Sequence, residues 1–150
     1  MNSILIVAHA PLAHALRQCV LHVCPEHGEQ VVALDVQAHV PREETEQTAR
    51  TLLDQLQARP DNTGVLVLVD VFGATPFNVM QELVGSQVRL VAGVNLPMLW
   101  SIVTRLNEPL AMLASRALSG GQQGILAAPT TAQQNQSRRH HDHSHHDHQQ

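Results

Sequence analysis

Residues 65–69 read VLVLV, an unbroken run of Val and Leu closed by Asp70. A strand with water on one side alternates apolar and polar residues, because successive side chains point to opposite faces. A run with no polar member is a strand covered on both faces, as a central strand of a parallel sheet is when helices pack on either side. Similar runs lie on both sides of it: Ser3–Ala8 (SILIVA) and Val31–Val36 (VVALDV) before, Val88–Val94 after. The stretches between are helical in character. Pro11 opens one that runs towards Cys24. A second starts at Pro41, with Glu43, Glu44 and Glu46 in its first turns, where the helix dipole favours anions. Thr45, Ala49, Leu52, Leu53 and Leu56 then recur at helical spacing, until Pro60, Asp61, Asn62 and Gly64 break the pattern. Thr75 and Pro76 are expected as N-cap and first residue of a third helix that stops at Gly85. Pro97 begins a fourth helix reaching Leu106, and a fifth runs from Glu108 to Ser119, closed by Gly120 and Gly121. Gly124–Ala128 reads as a short last strand.

This alternation predicts an α/β fold. The expected architecture is an open, doubly wound, mostly parallel four-stranded sheet with helices on both faces and an added C-terminal edge strand. A chain of 150 residues fits one domain. The folded domain is expected over residues 1–128. Residues 129–150 are polar, His-rich and of low complexity, too poor in apolar surface to offset the entropy of ordering. Six histidines, with Asp142 and Asp147 among them, lie between His140 and His148. Imidazole and carboxylate are competent metal ligands, but a tail without fixed geometry supplies no structural site, and no metal is expected.

Apolar residues make up 43% of the chain and aromatics only 2%, so Val, Leu, Ile and Ala must fill the core. The formal net charge is −4 and every cation is Arg, which offers no basic face for nucleic acid. Cys19 and Cys24 read as free thiols, since two cysteines in one segment make neither a disulfide framework nor a zinc motif. The N-terminal apolar run lacks a basic lead-in and, at about six residues, is too short for a signal peptide or a membrane span. A cytoplasmic protein is expected.

In open parallel sheets, ligands and chemistry collect at the carboxyl ends of the strands. His9 follows the first strand, Asp70 ends the third, and Gly93–Val94–Asn95 follows the fourth. A carboxylate that accepts one ring N–H of an imidazole leaves the other nitrogen bare, and stabilises the positive charge that develops as it attacks. Gly73 lets the backbone come close to a bound group. The residues alone leave a plainer alternative open: a solvated histidine beside an aspartate that caps a strand. His14 shares no useful face with His9, and His22, His27 and His39 have no partners in the pattern. Neither GxxxxGK[ST] nor a GxGxxG after a strand is present, which disfavours a nucleotide- or flavin-binding domain, and no cofactor is expected.

Three segments, SILIVAHAPLAHAL, LVLVDVFGATPFNV and VAGVNLPML, resemble the mannose-family enzyme IIA domain of the bacterial phosphoenolpyruvate:sugar phosphotransferase system. The likeness covers residues 3–128, and its most specific pieces are DVFGATPFN (Asp70–Asn78) and GVNLPML (Gly93–Leu99). It implies that His9 accepts a phosphoryl group from the phosphohistidine of the carrier protein HPr and that Asp70 orients the ring. Gly73, Ala74, Thr75 and Asn95 are the residues expected to bind the phosphoryl group. A IIB component as acceptor, a homodimer, and contact with a membrane only through a permease are implied too. The sequence departs from the family pattern at Ala74 and Thr75, in place of the usual Gly-Ser, and at Ala10, in place of a glycine after the histidine. Two further roles stay open on the same fold: a regulatory protein that reports its phosphorylation state, and a dihydroxyacetone-kinase phosphotransferase subunit, which DVFGATPFN fits less well.

Overall fold

Every side chain of Ile4–Ala8 and of Val65–Val69 is completely buried. The two runs form adjacent strands at the centre of the sheet, β1 (Ser3–His9) and β3 (Val65–Val69). β2 (Val31–Val36) and β4 (Val88–Ala92) complete the order β2-β1-β3-β4, and all three pairings are parallel. This is the computed structural model of the chain, and it describes residues 1–130.

Five α-helices alternate with or follow the strands: α1 (Leu12–Val23), α2 (Arg42–Gln57), α3 (Thr75–Gln81), α4 (Leu96–Val103) and α5 (Leu110–Gln123). Strand alternation sorts the interior into two layers. Ile4, Ile6, Ala8, Leu66 and Leu68 face α1, α4 and α5, where they meet Leu16, Val20, Leu99, Ile102 and Leu113. Leu5, Val7, Val65, Val67 and Val69 face α2 and α3 and meet Ala49, Leu53, Leu56, Val79 and Met80. Each fully buried Val, Leu or Ile contributes about 1.5–3 kcal/mol, so a central strand apolar on both faces stabilises both layers at once. The edge strands are wetter, and Arg89 of β4 is exposed.

Three expectations are corrected. No strand forms over Gly124–Ala128: among the described residues Ile125–Thr130 lack regular structure, and the Ile125 and Leu126 side chains are 77% and 85% exposed. A run this short has no independent stability without a sheet edge to pair with. Gly120 and Gly121 do not end the fifth helix but lie inside α5, whose backbone continues to Gln123. Their role is close packing, because a Cβ on Gly120 would collide with Ser101 and one on Gly121 would come within 2.8 Å of the Met98 methyl. The third concerns Thr75, which is the first residue of α3 and not its cap. Ala74 holds that place, its carbonyl accepting from the Asn78 N–H at 2.9 Å. The expected disorder of the tail and its lack of a metal site fall on residues outside those described, apart from 129 and 130.

Candidate active site

The register of β1 on β3 sets Val7 opposite Val69, so His9 and Asp70 emerge at the same end of two neighbouring strands. β3 ends at Val69, and the Asp70 carboxylate takes over where the ladder stops. Its Oδ2 accepts the backbone N–H of His9 at 3.0 Å and the His9 Nδ1 at 2.7 Å. Its Oδ1 accepts the N–H of Val71 at 2.9 Å. Three donors therefore fix the carboxylate, and the carboxylate fixes the ring.

Partial burial pushes the Asp70 carboxyl up. The His9 ring bond, the His9 backbone N–H, the charge of His9 and the Val71 N–H outweigh that and hold it below its ordinary value of 3.8. An ionised carboxylate only accepts, so Nδ1 of the neutral ring carries the proton and Nε2 is left bare. The two side chains differ in the way such a pair requires: Asp70 is 9% exposed and His9 53% exposed. The arrangement is that of a half-exposed imidazole with a carboxylate held behind it.

The loop after Asp70 wraps beside this pair. Gly73 adopts φ +81°, a left-handed conformation that favours glycine, although a Cβ there would meet nothing within 4 Å. The need is for the turn and not for space. The Asn78 side chain donates to the Gly73 carbonyl at 3.2 Å and steadies it. Among the described residues no protein group accepts from the N–H of Phe72, Gly73 or Ala74, and the Thr75 hydroxyl is exposed and without a bond.

Asn95 is placed differently from the other expected binding residues. It caps α4, its Oδ1 accepting the Met98 N–H at 2.8 Å while its Nδ2 donates to the Gly121 carbonyl at 3.3 Å. Both ends of its amide thus tie α4 to α5, and the sequence signal for a cap was present in an Asn two residues before Pro97. β4 stops at Ala92, short of the expected Val94, because Gly93 turns at φ +91° and the Gly93 and Val94 N–H groups both bond the Val69 carbonyl, at 2.9 and 3.0 Å.

One residue near the site escaped the sequence reading. Asp35, near the end of β2, accepts the His14 N–H at 3.1 Å and so occupies the first turn of α1. A carboxylate thus already holds one of the N–H donors of that helix start. No grouping of three or more metal-ligating side chains occurs among the described residues, and none of their helices is long and apolar enough to cross a membrane.

Comparison with known proteins agrees with this geometry. The family EIIA-man, described as the PTS system fructose IIA component, matches residues 3–118. No curated protein matches the chain. Among solved structures, a phosphotransferase system component EIIA from Streptococcus agalactiae is 25% identical, with a TM-score of 0.73 over 85% of this chain and 97% of that one. The mannose/sorbose specific IIA subunit of the phosphotransferase system from Enterococcus faecalis is 23% identical, with a TM-score of 0.74 over 86% of this chain and 96% of that one. A PTS IIA protein associated with the fucose utilization operon of Streptococcus pneumoniae shares the fold at 22% identity, with a TM-score of 0.71 over 85% and 96%. The match of the family over most of the chain, with the His–Asp pair at the sheet's carboxyl edge, makes this chain a member of the EIIA-man family of the phosphotransferase system.

Proposed function

We propose that the protein is a phosphocarrier: His9 takes a phosphoryl group from the phosphohistidine of HPr and hands it to a IIB component in sugar uptake. The observation that carries this is the 2.7 Å contact between His9 Nδ1 and Asp70, which leaves Nε2 as the free nitrogen on the exposed side of the ring. In the transfer, the P–N bond of the donor breaks as a P–N bond to Nε2 forms. The donor imidazole leaves with the electron pair of its own bond, and the proton on His9 Nδ1 stays shared with Asp70. Such transfers pass through loose transition states in which positioning and charge stabilisation supply the catalysis. The N–H groups of Gly73 and Ala74 and the Thr75 hydroxyl hold the phosphoryl oxygens in this reading. Asn95 contributes by fixing α4 and not by touching phosphate.

Labelled phosphoenolpyruvate, enzyme I and HPr are expected to place one phosphate on each chain, labile in acid and stable in base. A chain that gains none contradicts the proposal.

The protein works as a homodimer in the same reading. β4 leaves one edge of the sheet without a neighbouring strand among the described residues, and the exposed Ile125 and Leu126 are an apolar segment suited to pairing with a second copy. Light scattering should give a mass near twice 16.4 kDa. A monomer at micromolar concentration excludes the dimer.

A further inference from the structure

Aromatic side chains are scarce in this chain, which has two Phe, one Trp and no Tyr. Both phenylalanines sit in the segment that begins at Asp70. Phe77 is partly buried against the α2–α3 layer of the core. Phe72 is 75% exposed, and its ring lies on that of Phe77 with centroids 4.4 Å apart at 44°. Val71, whose N–H binds the Asp70 carboxylate, is itself 54% exposed. An aromatic side chain out in water is unfavourable, and this one is also held still, by Phe77 below it and by the Asn78–Gly73 bond in the loop that carries it. Rigid exposed aromatics lose little entropy on being covered, which suits them to anchor a partner.

The charge pattern around the site points the same way. The loops that leave the carboxyl ends of the strands are Ala10–Pro11, Gln37–Pro41, Val71–Ala74 and Gly93–Asn95, and none contains Asp, Glu, Lys or Arg. Of the charged side chains at that end, Asp70 is 9% exposed and turned to the ring, and Asp35 of β2 is partly buried and held by the His14 N–H. A partner that approaches His9 therefore meets apolar and neutral surface first.

We propose that Val71 and Phe72 form the docking anchor for the phosphohistidine-bearing carrier protein, and that this contact is apolar and nearly independent of salt. The proposal rests on the phosphocarrier reading, which supplies the occupant: a protein-borne phosphohistidine reaches Nε2 only if the carrier covers the rim of the site. A carrier with an apolar patch beside its own phosphohistidine fits this rim. One that relies on a ring of charges does not.

The test compares two phosphoryl donors on wild-type chain and on Phe72→Ala. Phosphorylated HPr must dock, whereas phosphoramidate is a small donor that needs no docking. Covering a Phe side chain is worth roughly tenfold to a hundredfold in affinity. Phe72→Ala is expected to raise KM for phospho-HPr by at least about tenfold, to leave kcat within about twofold, and to leave the phosphoramidate rate within about twofold. Wild-type KM for phospho-HPr should change by less than about threefold between 50 and 500 mM NaCl, against the steep dependence of charge-steered encounters. An unchanged KM in Phe72→Ala, an equal loss with both donors, or a steep salt dependence overturns the proposal. Wild-type chain that is phosphorylated on His9 by phosphoramidate but not by phospho-HPr also overturns it. Wild-type chain that neither donor phosphorylates contradicts the phosphocarrier reading beneath it.

Discussion

His9→Ala is expected to take up no phosphate from phosphorylated HPr and to stay folded. The ring is 53% exposed and belongs to neither core cluster, so its removal opens no cavity in either layer. The other described histidines lack the close ring–carboxylate contact that His9 makes with Asp70. His14 contributes its backbone N–H to Asp35, and His27 lies 3.9 Å from Glu26 with its Nδ1 buried and unpaired. What the variant loses besides the nucleophile is one donor to Asp70, which keeps the N–H groups of residue 9 and of Val71. The Asp70 carboxyl is depressed in the wild type, so its ionised form stabilises the fold above the ordinary 3.8, and that stabilisation is lost as pH falls through the lower folded value. Without the ring the carboxyl rises, and the acid limb of the stability curve moves to higher pH. Acid-labile label retained in His9→Ala, measured by scintillation or intact mass, contradicts the assignment of the nucleophile.

Asp70→Asn should separate orientation from mere presence of the ring. The carboxylate accepts three N–H groups on two oxygens, and an amide has one oxygen and one NH2. With the oxygen towards His9, the NH2 confronts the Val71 N–H. With the oxygen towards Val71, the NH2 confronts the His9 N–H and donates to the ring, moving the imidazole proton to Nε2. That tautomer has no lone pair where the phosphorus must bind. Phosphorylation is expected to slow by up to about ten-thousandfold, the loss seen when the orienting Asp of a His–Asp pair is made Asn. The lost charge-assisted bond costs about 1–3 kcal/mol, enough to lower Tm by several degrees without unfolding the chain. A phosphorylation rate equal to wild type, followed in a quench-flow experiment, would make Asp70 a strand cap and nothing more.

The layers of the fold were legible in the chain because burial on both faces leaves no room for a polar residue in ILIVA (Ile4–Ala8) or VLVLV. The site was legible for a related reason. A parallel sheet puts all its carboxyl ends on one side, so a His ending one strand and an Asp following its neighbour must meet. The features missed depend on partners far along the chain. Whether glycine stops a helix or lets another helix approach is decided by Ser101 and Met98, some twenty residues before Gly120 and Gly121. The capping of α1 by Asp35 depends on a register in which β2 lies beside β1, with Asp35 opposite Ala8. Asn95 was read by its place at a strand end, whereas its local pattern with Pro97 already described a helix cap. The last strand was inferred from an apolar run after glycines, yet a strand exists only beside another, and none pairs with this run among the described residues.

The central claim is that Asp70 holds the proton on Nδ1 so that His9 reacts through Nε2. Nitrogen-15 NMR of histidine-labelled, phosphorylated protein reads this directly, because the two phosphorylated ring nitrogens give different couplings to phosphorus. The account predicts one phosphohistidine, His9, with phosphorus coupled to Nε2 and a proton on Nδ1. Phosphorus coupled to Nδ1, or on any histidine other than His9, would contradict it.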